Sequence, residues 1–193
     1  MKKYDTIFLD RDGTLNSDTG YINSLDQFEF YDFTMPALKE MGKCGSRFCI
    51  ITNQSGLARG KIQLDELSEI HNYILNEFYQ NQLNLLGIYY CSDHPDNPTV
   101  NRKPGSGMFQ AAAADHNINL TNSIMIGDAV SDIEAGLNLN MDTMLVLTGR
   151  GNDSSVNLKD LKPKYIVDNL MTGATLLKES YQWKLVYYLE EAL

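Results

Sequence analysis

The chain has 193 residues, 43% of them hydrophobic and 21% charged, with a formal net charge of −9. That length fits one domain, residues 1–193, with a core of ordinary size, and the acidic balance argues against a nucleic-acid partner, which needs a basic face. No apolar run approaches the roughly 18 residues that span a bilayer, and Met1-Lys2-Lys3-Tyr4-Asp5 leads straight into a strand pattern without a signal-peptide core, so a cytoplasmic protein without membrane association is expected.

Short β-rich runs alternate with longer helical patterns, which predicts βαβ units and an α/β fold on a parallel sheet. Residues 4–9 read as the first buried strand, 35–41 as a helix stopped at Gly42, and 48–52 as the second strand. Residues 65–82 repeat Leu67, Ile70, Ile74, Leu75 and Phe78 at helical spacing. Residues 88–91 form the third strand, 108–116 an alanine-rich helix, and 123–126 the fourth strand. A helix over 131–139, a strand over 143–147 and a sixth strand over 165–167 complete the pattern. The segment 170–193 reads as a final helix packed on the sheet. Its Trp183, Leu185, Tyr187, Tyr188 and Leu189 also offer a surface for a second copy, although a monomer is expected. Cys44, Cys49 and Cys91 are too few and too scattered for a disulfide framework.

Ligands of a doubly wound sheet sit beyond the carboxyl ends of its strands. Four segments carry reactive side chains to that edge: Asp10-Arg11-Asp12-Gly13-Thr14 after the first strand, Thr52-Asn53-Gln54-Ser55-Gly56 after the second, Arg102-Lys103-Pro104 beyond the third, and Gly127-Asp128 after the fourth. Alternation at an extended strand end puts Asp10 and Asp12 on one side and Arg11 on the other. One carboxylate can then attack phosphorus while the second protonates the leaving oxygen and later takes a proton from water. An Asp-x-Asp-Gly run is also an ordinary turn; the convergence of four segments favours chemistry. Asp10 and Asp128 are hard oxygen ligands suited to Mg²⁺. Lys103 adds fixed positive charge, and Thr52 and Asn53 add hydrogen-bond donors. Asp132, four residues after Asp128, caps its helix or steadies the metal site.

The run Phe8-Leu9-Asp10-Arg11-Asp12-Gly13-Thr14-Leu15-Asn16 resembles the first motif of the haloacid-dehalogenase-like phosphatases, and Thr52, Lys103 and Gly127-Asp128 fall where later motifs of that superfamily stand. Asp18-Thr19-Gly20-Tyr21-Ile22, the run from Thr52 to Gly60, Gly87-Ile88-Tyr89-Tyr90-Cys91 and the run from Arg102 to Met108 are similar to its heptose bisphosphate and histidinol-phosphate phosphatase branch. The similarity covers residues 4 to 150. It implies a Rossmann-like fold with helices on both faces and a Mg²⁺-dependent phosphatase for a small phosphorylated molecule. It further implies Asp10 as nucleophile, Asp12 as general acid and base, and Mg²⁺ held by Asp10, Asp128 and the backbone carbonyl of Asp12. Thr52 and Lys103 would stabilise the transferring phosphoryl group. Asp18, Thr19, Gly20, Tyr21, Asn53, Gln54, Ser55 and Arg102 would line the substrate pocket. The spacing between motifs leaves no room for a cap domain.

The expected substrate is D-glycero-D-manno-heptose 1,7-bisphosphate, losing its 7-phosphate. Histidinol phosphate and a nucleic-acid 3′-phosphate are alternatives, and a non-catalytic phospho-acceptor domain is an alternative from another class. Asp12 argues against the acceptor, because a domain that stores phosphate has no use for an acid/base there. Two features depart from the branch. Its relatives carry a structural zinc on a Cys-x-His and a Cys-x-Cys pair; here Cys91-Ser92-Asp93 and Thr99-Val100-Asn101 keep Cys91 alone, with His94 one place late. No structural zinc is expected. Ala129 stands where heptose bisphosphate phosphatases place a lysine.

Overall fold

Apolar residues occupy both faces of the inner strands, as a parallel sheet covered on two sides requires. The computed structural model describes residues 4–43 and 47–179. Its strands are β1 (Thr6–Leu9), β2 (Arg47–Asn53), β3 (Leu85–Cys91), β4 (Ile124–Gly127), β5 (Asp142–Val146) and β6 (Tyr165–Val167). They form one parallel sheet in the order β3-β2-β1-β4-β5-β6. The pleat divides the core. Ile7, Leu9, Phe48, Ile50, Ile124 and Ile126 face one layer, and Phe8, Cys49, Ile51 and Met125 face the other.

The first layer is closed by α1 (Thr34–Gly42), through Ala37, Leu38 and Met41, and by α2 (Leu64–Gln80), through Ile70, Ile74 and Phe78. Residues 170–179 are helical and add Leu170, Ala174 and Leu177 to that layer. The second layer is closed by α3 (Gly107–His116), through Met108, Phe109 and Ala112, and by α4 (Val130–Asn138), through Ala135. Phe8 and Phe109 meet edge to face with centroids 5.3 Å apart. Each fully buried side chain of this size contributes about 1.5–3 kcal/mol on transfer from water.

The α/β architecture and all six expected strands are present, with end points shifted by a few residues. β3 begins at Leu85 rather than 88, because α2 ends at Gln80 and Gln82 takes a left-handed φ of 56° that turns the chain early. The short helix α5 (Gly151–Val156) was not expected; its six residues are mostly polar and carry no apolar period. The rest of the expected terminal helix, with Trp183, Leu185, Tyr187, Tyr188 and Leu189, lies outside the described residues, as does Cys44. Among the described residues no helix is long and apolar enough to cross a membrane.

One feature of this topology positions the site. The chain builds outward from β1 to β3, then returns to β4 on the other side of β1. The switch point between β1 and β4 opens a crevice at their carboxyl ends. No further domain sits over that edge among the described residues.

Candidate active site

Asp10 leaves β1 at the switch point, and its amide donates to the Ile126 carbonyl at 2.9 Å. Beyond it the Arg11 carbonyl accepts from the amides of Thr14 at 3.2 Å and Leu15 at 2.8 Å, which folds the chain into a tight loop. Gly13 carries this turn at φ +83°, and a Cβ there would stand 2.1 Å from Asp128 Oδ2. Gly149, at φ +53°, presses on the same carboxylate from the turn after β5. Asp128 is therefore seated between two glycines. Gly13→Ala is expected to cost about 1–2 kcal/mol of stability from the left-handed backbone, with a further loss from displacing the Asp128 carboxylate. Urea unfolding of that variant with unchanged stability would contradict this packing.

Four charges are buried together. Asp10 is 8% exposed, Asp128 2%, Asp132 1% and Lys103 4%. Lys103 Nζ lies 2.6 Å from Asp10 Oδ1 and 2.7 Å from Asp132 Oδ1, and it donates to the Ile51 carbonyl at 2.6 Å. Asp128 Oδ2 accepts the Arg150 amide at 2.7 Å. Asp132 caps α4, as one of its two readings had it: Oδ2 accepts the Ala129 amide at 3.0 Å, while Oδ1 pairs with Lys103. Burial is the main cause that pushes the Asp10 carboxyl up to about 7, aided by Asp132 and Asp12 and opposed by Lys103. Burial likewise pushes Asp128 up to about 8, with Asp10 and Asp132 adding repulsion. Burial works against the charge of Lys103, but Asp10 and Asp132 outweigh it and raise its pKa.

These carboxylates suit a divalent cation. Asp10, Asp128 and Asp132 offer oxygens that all lie within 4.8 Å of one another, and one lysine cannot balance three buried carboxylates. A hard cation with oxygen ligands fits both the donor set and the charge deficit.

Asp12 is held differently. Arg11 does not face away from it as strand alternation implied. The strand ends at Leu9, and the buried guanidinium turns back onto the next residue, with Nε 3.0 Å from Asp12 Oδ1 and Nη2 2.7 Å from Oδ2. Asn16 Nδ2 donates to Asp12 Oδ1 at 3.0 Å and Gln54 Nε2 to Oδ2 at 2.9 Å. Burial raises the Asp12 pKa, but Arg11, Asn16 and Gln54 outweigh it and hold the carboxyl below its ordinary range.

β2 and the segment before α3 are locked together. Asn53 Nδ2 donates to the Lys103 carbonyl at 3.2 Å, and the Lys103 amide donates to Asn53 Oδ1 at 3.0 Å. Gln54 Nε2 also donates to Thr52 Oγ1 at 3.0 Å. Ahead of Arg102, the loop is closed by Asp93, whose Oδ2 accepts the Thr99 amide at 2.6 Å and whose carbonyl accepts Arg102 Nη1 at 3.4 Å. Cys91 is a buried free thiol at the end of β3.

An open cavity of about 160 Å³ lies over these groups. Asp10, Asp12, Thr52, Lys103 and Asp128 line it, together with Asp18, Gly20, Tyr21, Asn53, Gln54, Ser55 and Arg102. Thr19 does not; it is exposed beside them. Gly56, Ile62, Ala129, Ser131, Asp132 and Arg150 complete the wall. Arg150 was missed from sequence because the exit of β5 was not read alongside the other four, although Thr148-Gly149-Arg150 leaves the same sheet edge.

Residues 100–172 match a family model described as HAD-hydrolase-like. The chain is similar to the D-glycero-beta-D-manno-heptose-1,7-bisphosphate 7-phosphatase of Haemophilus influenzae, 40% identical over 180 residues, covering 89% of this chain and 96% of that one. Its counterpart in Escherichia coli K12 is 39% identical over 160 residues, covering 77% and 82%. A crystal structure of the D,D-heptose 1,7-bisphosphate phosphatase from B. bronchiseptica, complexed with magnesium and phosphate, aligns with a TM-score of 0.82 at 27% identity, covering 91% of this chain and 99% of that one.

Proposed function

The chain belongs to the haloacid-dehalogenase-like phosphatases, and on that premise we propose that it removes the 7-phosphate of D-glycero-β-D-manno-heptose 1,7-bisphosphate through a phospho-aspartate on Asp10. The observation that carries the chemistry is the meeting of Asp10, Lys103, Asp128 and Asp132 at the switch point, floored by one lysine and open to solvent. The substrate is proposed from relatives about 40% identical over most of the chain.

An Asp10 oxygen attacks phosphorus, the ester bond to the sugar oxygen breaks, and Asp12 gives the leaving oxygen its proton. In the second half, Asp12 takes a proton from the water that attacks phosphorus, and inorganic phosphate leaves with Asp10 regenerated. The fork of Arg11 keeps Asp12 ionised at rest, which suits the second half; for the first half the carboxyl must gain a proton away from that fork. Lys103 and the Thr52 hydroxyl stabilise charge on the transferring group. Asp10, Asp128 and the Asp12 carbonyl, with Asp132 beside them, would hold Mg²⁺, which offsets the repulsion between an anionic nucleophile and an anionic phosphate. Asp18, Tyr21, Asn53, Ser55 and Arg102 form the substrate wall.

The test is phosphate release from a panel: the heptose 1,7-bisphosphate anomers, histidinol phosphate and a 3′-phosphorylated oligonucleotide. The β anomer is expected to exceed histidinol phosphate by at least about 100-fold in kcat/KM, about 2.7 kcal/mol, with activity lost to a chelator and regained with Mg²⁺. Elemental analysis is expected to find no stoichiometric zinc, because Cys91 has no matching set of ligands in its loop. Equal or better turnover of histidinol phosphate would overturn the substrate reading.

A further inference from the structure

Three cations line the cavity among the described residues: Arg102, Lys103 and Arg150. Lys103 is committed, since its ammonium already meets Asp10, Asp132 and the Ile51 carbonyl. Arg102 stands beside it and is tethered to the Asp93 carbonyl. Arg150 is built in another way, fixed at its base and loose at its tip. Its amide is held by Asp128 Oδ2 at 2.7 Å, and the same turn is tied down by Thr148 Oγ1, which donates to the Gly13 carbonyl at 2.6 Å. Its side chain is 71% exposed and makes one polar contact among the described residues, Nε to Asp18 Oδ2 at 3.2 Å.

We propose that Arg150 is an anchor for the phosphoryl group that does not react, and that Asp18 holds its guanidinium in place until such a group replaces it. The proposal deepens the bisphosphate reading and rests on it. The Arg150 end of this pair is open to solvent, so releasing the guanidinium from Asp18 costs little. A phosphate dianion offers a planar fork a stronger, two-pronged partner. Asp18 has a partner of its own, because its Oδ1 accepts the Gly20 amide at 3.0 Å; its carboxylate stays in position when Arg150 leaves. Arg150 Nη1 and Nη2 make no hydrogen bond to a described residue, which leaves that edge of the fork for the ligand. The neighbouring wall position, Ala129, supplies no charge. Arg150 therefore reaches the distal phosphoryl group from the β5 side of the cavity, and Arg102 reaches it from the side of α3.

The test compares D-glycero-β-D-manno-heptose 1,7-bisphosphate with the 7-phosphate alone in wild type, Arg150→Ala, Arg150→Lys and Asp18→Asn backgrounds. Arg150→Ala is expected to raise KM for the bisphosphate tenfold or more with little change in kcat, because the anchor grips ground state and transition state alike. KM for the 7-phosphate should rise far less, so the preference for the bisphosphate shrinks about tenfold. Arg150→Lys, keeping charge without the fork, should fall between. The product retaining the 1-phosphate should bind Arg150→Ala about tenfold more weakly by calorimetry. If Arg150 merely masks the Asp18 charge, Asp18→Asn combined with Arg150→Ala restores KM to the Asp18→Asn value, and the proposal fails; a loss that persists in that background supports it. A bisphosphate preference left intact in Arg150→Ala overturns the anchor alone. A wild-type protein with no preference for the bisphosphate overturns the substrate reading and the anchor together.

Discussion

Asp10→Asn is expected to lower kcat at least about 100-fold, a loss of about 2.7 kcal/mol or more in transition-state stabilisation, while the protein stays folded. The amide cannot form an acyl phosphate, so the covalent route closes. The fold should tolerate the change because asparagine has the same shape and the Lys103 ammonium keeps Asp132 at 2.7 Å and the Ile51 carbonyl at 2.6 Å. The pH dependence of the metal-free protein provides a second readout. The folded Asp10 carboxyl, pushed up to about 7 by burial, binds its proton more tightly than the ordinary carboxyl at 3.8. Stability from that proton is complete below about 4 and is lost as pH rises through about 7. Asp10→Asn has no such proton to lose. Its stability in chelator should therefore fall less between pH 5 and pH 8 than that of wild type. Residual kcat above about 1% would rule out covalent catalysis by this residue.

Lys103→Ala should damage both stability and chemistry. The lysine side chain is 2% exposed, and its ammonium stands between two buried carboxylates. Removing one partner of a buried charge cluster costs about 3–5 kcal/mol, because the remaining charges are left in a poorly solvating interior. The cluster has an escape: Asp10 and Asp128 already sit near 7 and 8, and without the lysine they rise further. Both are acids with raised pKa values, so the folded state binds more protons than the unfolded one between about 4 and those values, and stability falls as pH rises through that window. Chelator-treated Lys103→Ala should therefore lose several kcal/mol by urea unfolding at pH 8.5 and distinctly less at pH 6. Its kcat should drop about 100-fold or more, since a preorganised positive charge on the transferring phosphoryl group is gone. A loss that is equal at the two pH values would mean that packing, rather than charge balance, explains the lysine.

The sequence alone determined the alternation of strands and helices on a parallel sheet and singled out the residues proposed to react. Buried parallel strands announce themselves as short apolar runs, as in Phe48-Cys49-Ile50-Ile51 and Ile124-Met125-Ile126, because both faces are covered by helices. Asp10, Thr52 and Asp128 were legible because each sits at a strand exit, and Lys103 because it stands in the Arg-Lys-Pro run before α3; the residue types of these motifs have few other uses together. Boundaries were less legible, as at β3, where a left-handed Gln82 rather than any apolar period sets the start.

Tertiary structure decided how those residues are used. The order β3-β2-β1-β4-β5-β6 sets β1 against β4, and nothing in local periodicity records it. From it follow the contacts across large sequence separations: Lys103 with Asp10, Asn53 with the Lys103 backbone, Arg150 with Asp18, and Gly13 and Gly149 against Asp128. The return of Arg11 onto Asp12 is local in sequence yet was also hidden. A guanidinium buried in the interior takes the nearest carboxylate that satisfies its fork, and burial is a property of the packed molecule. Residue types and their period are written along one dimension; desolvation and charge balance depend on which strands become neighbours in three.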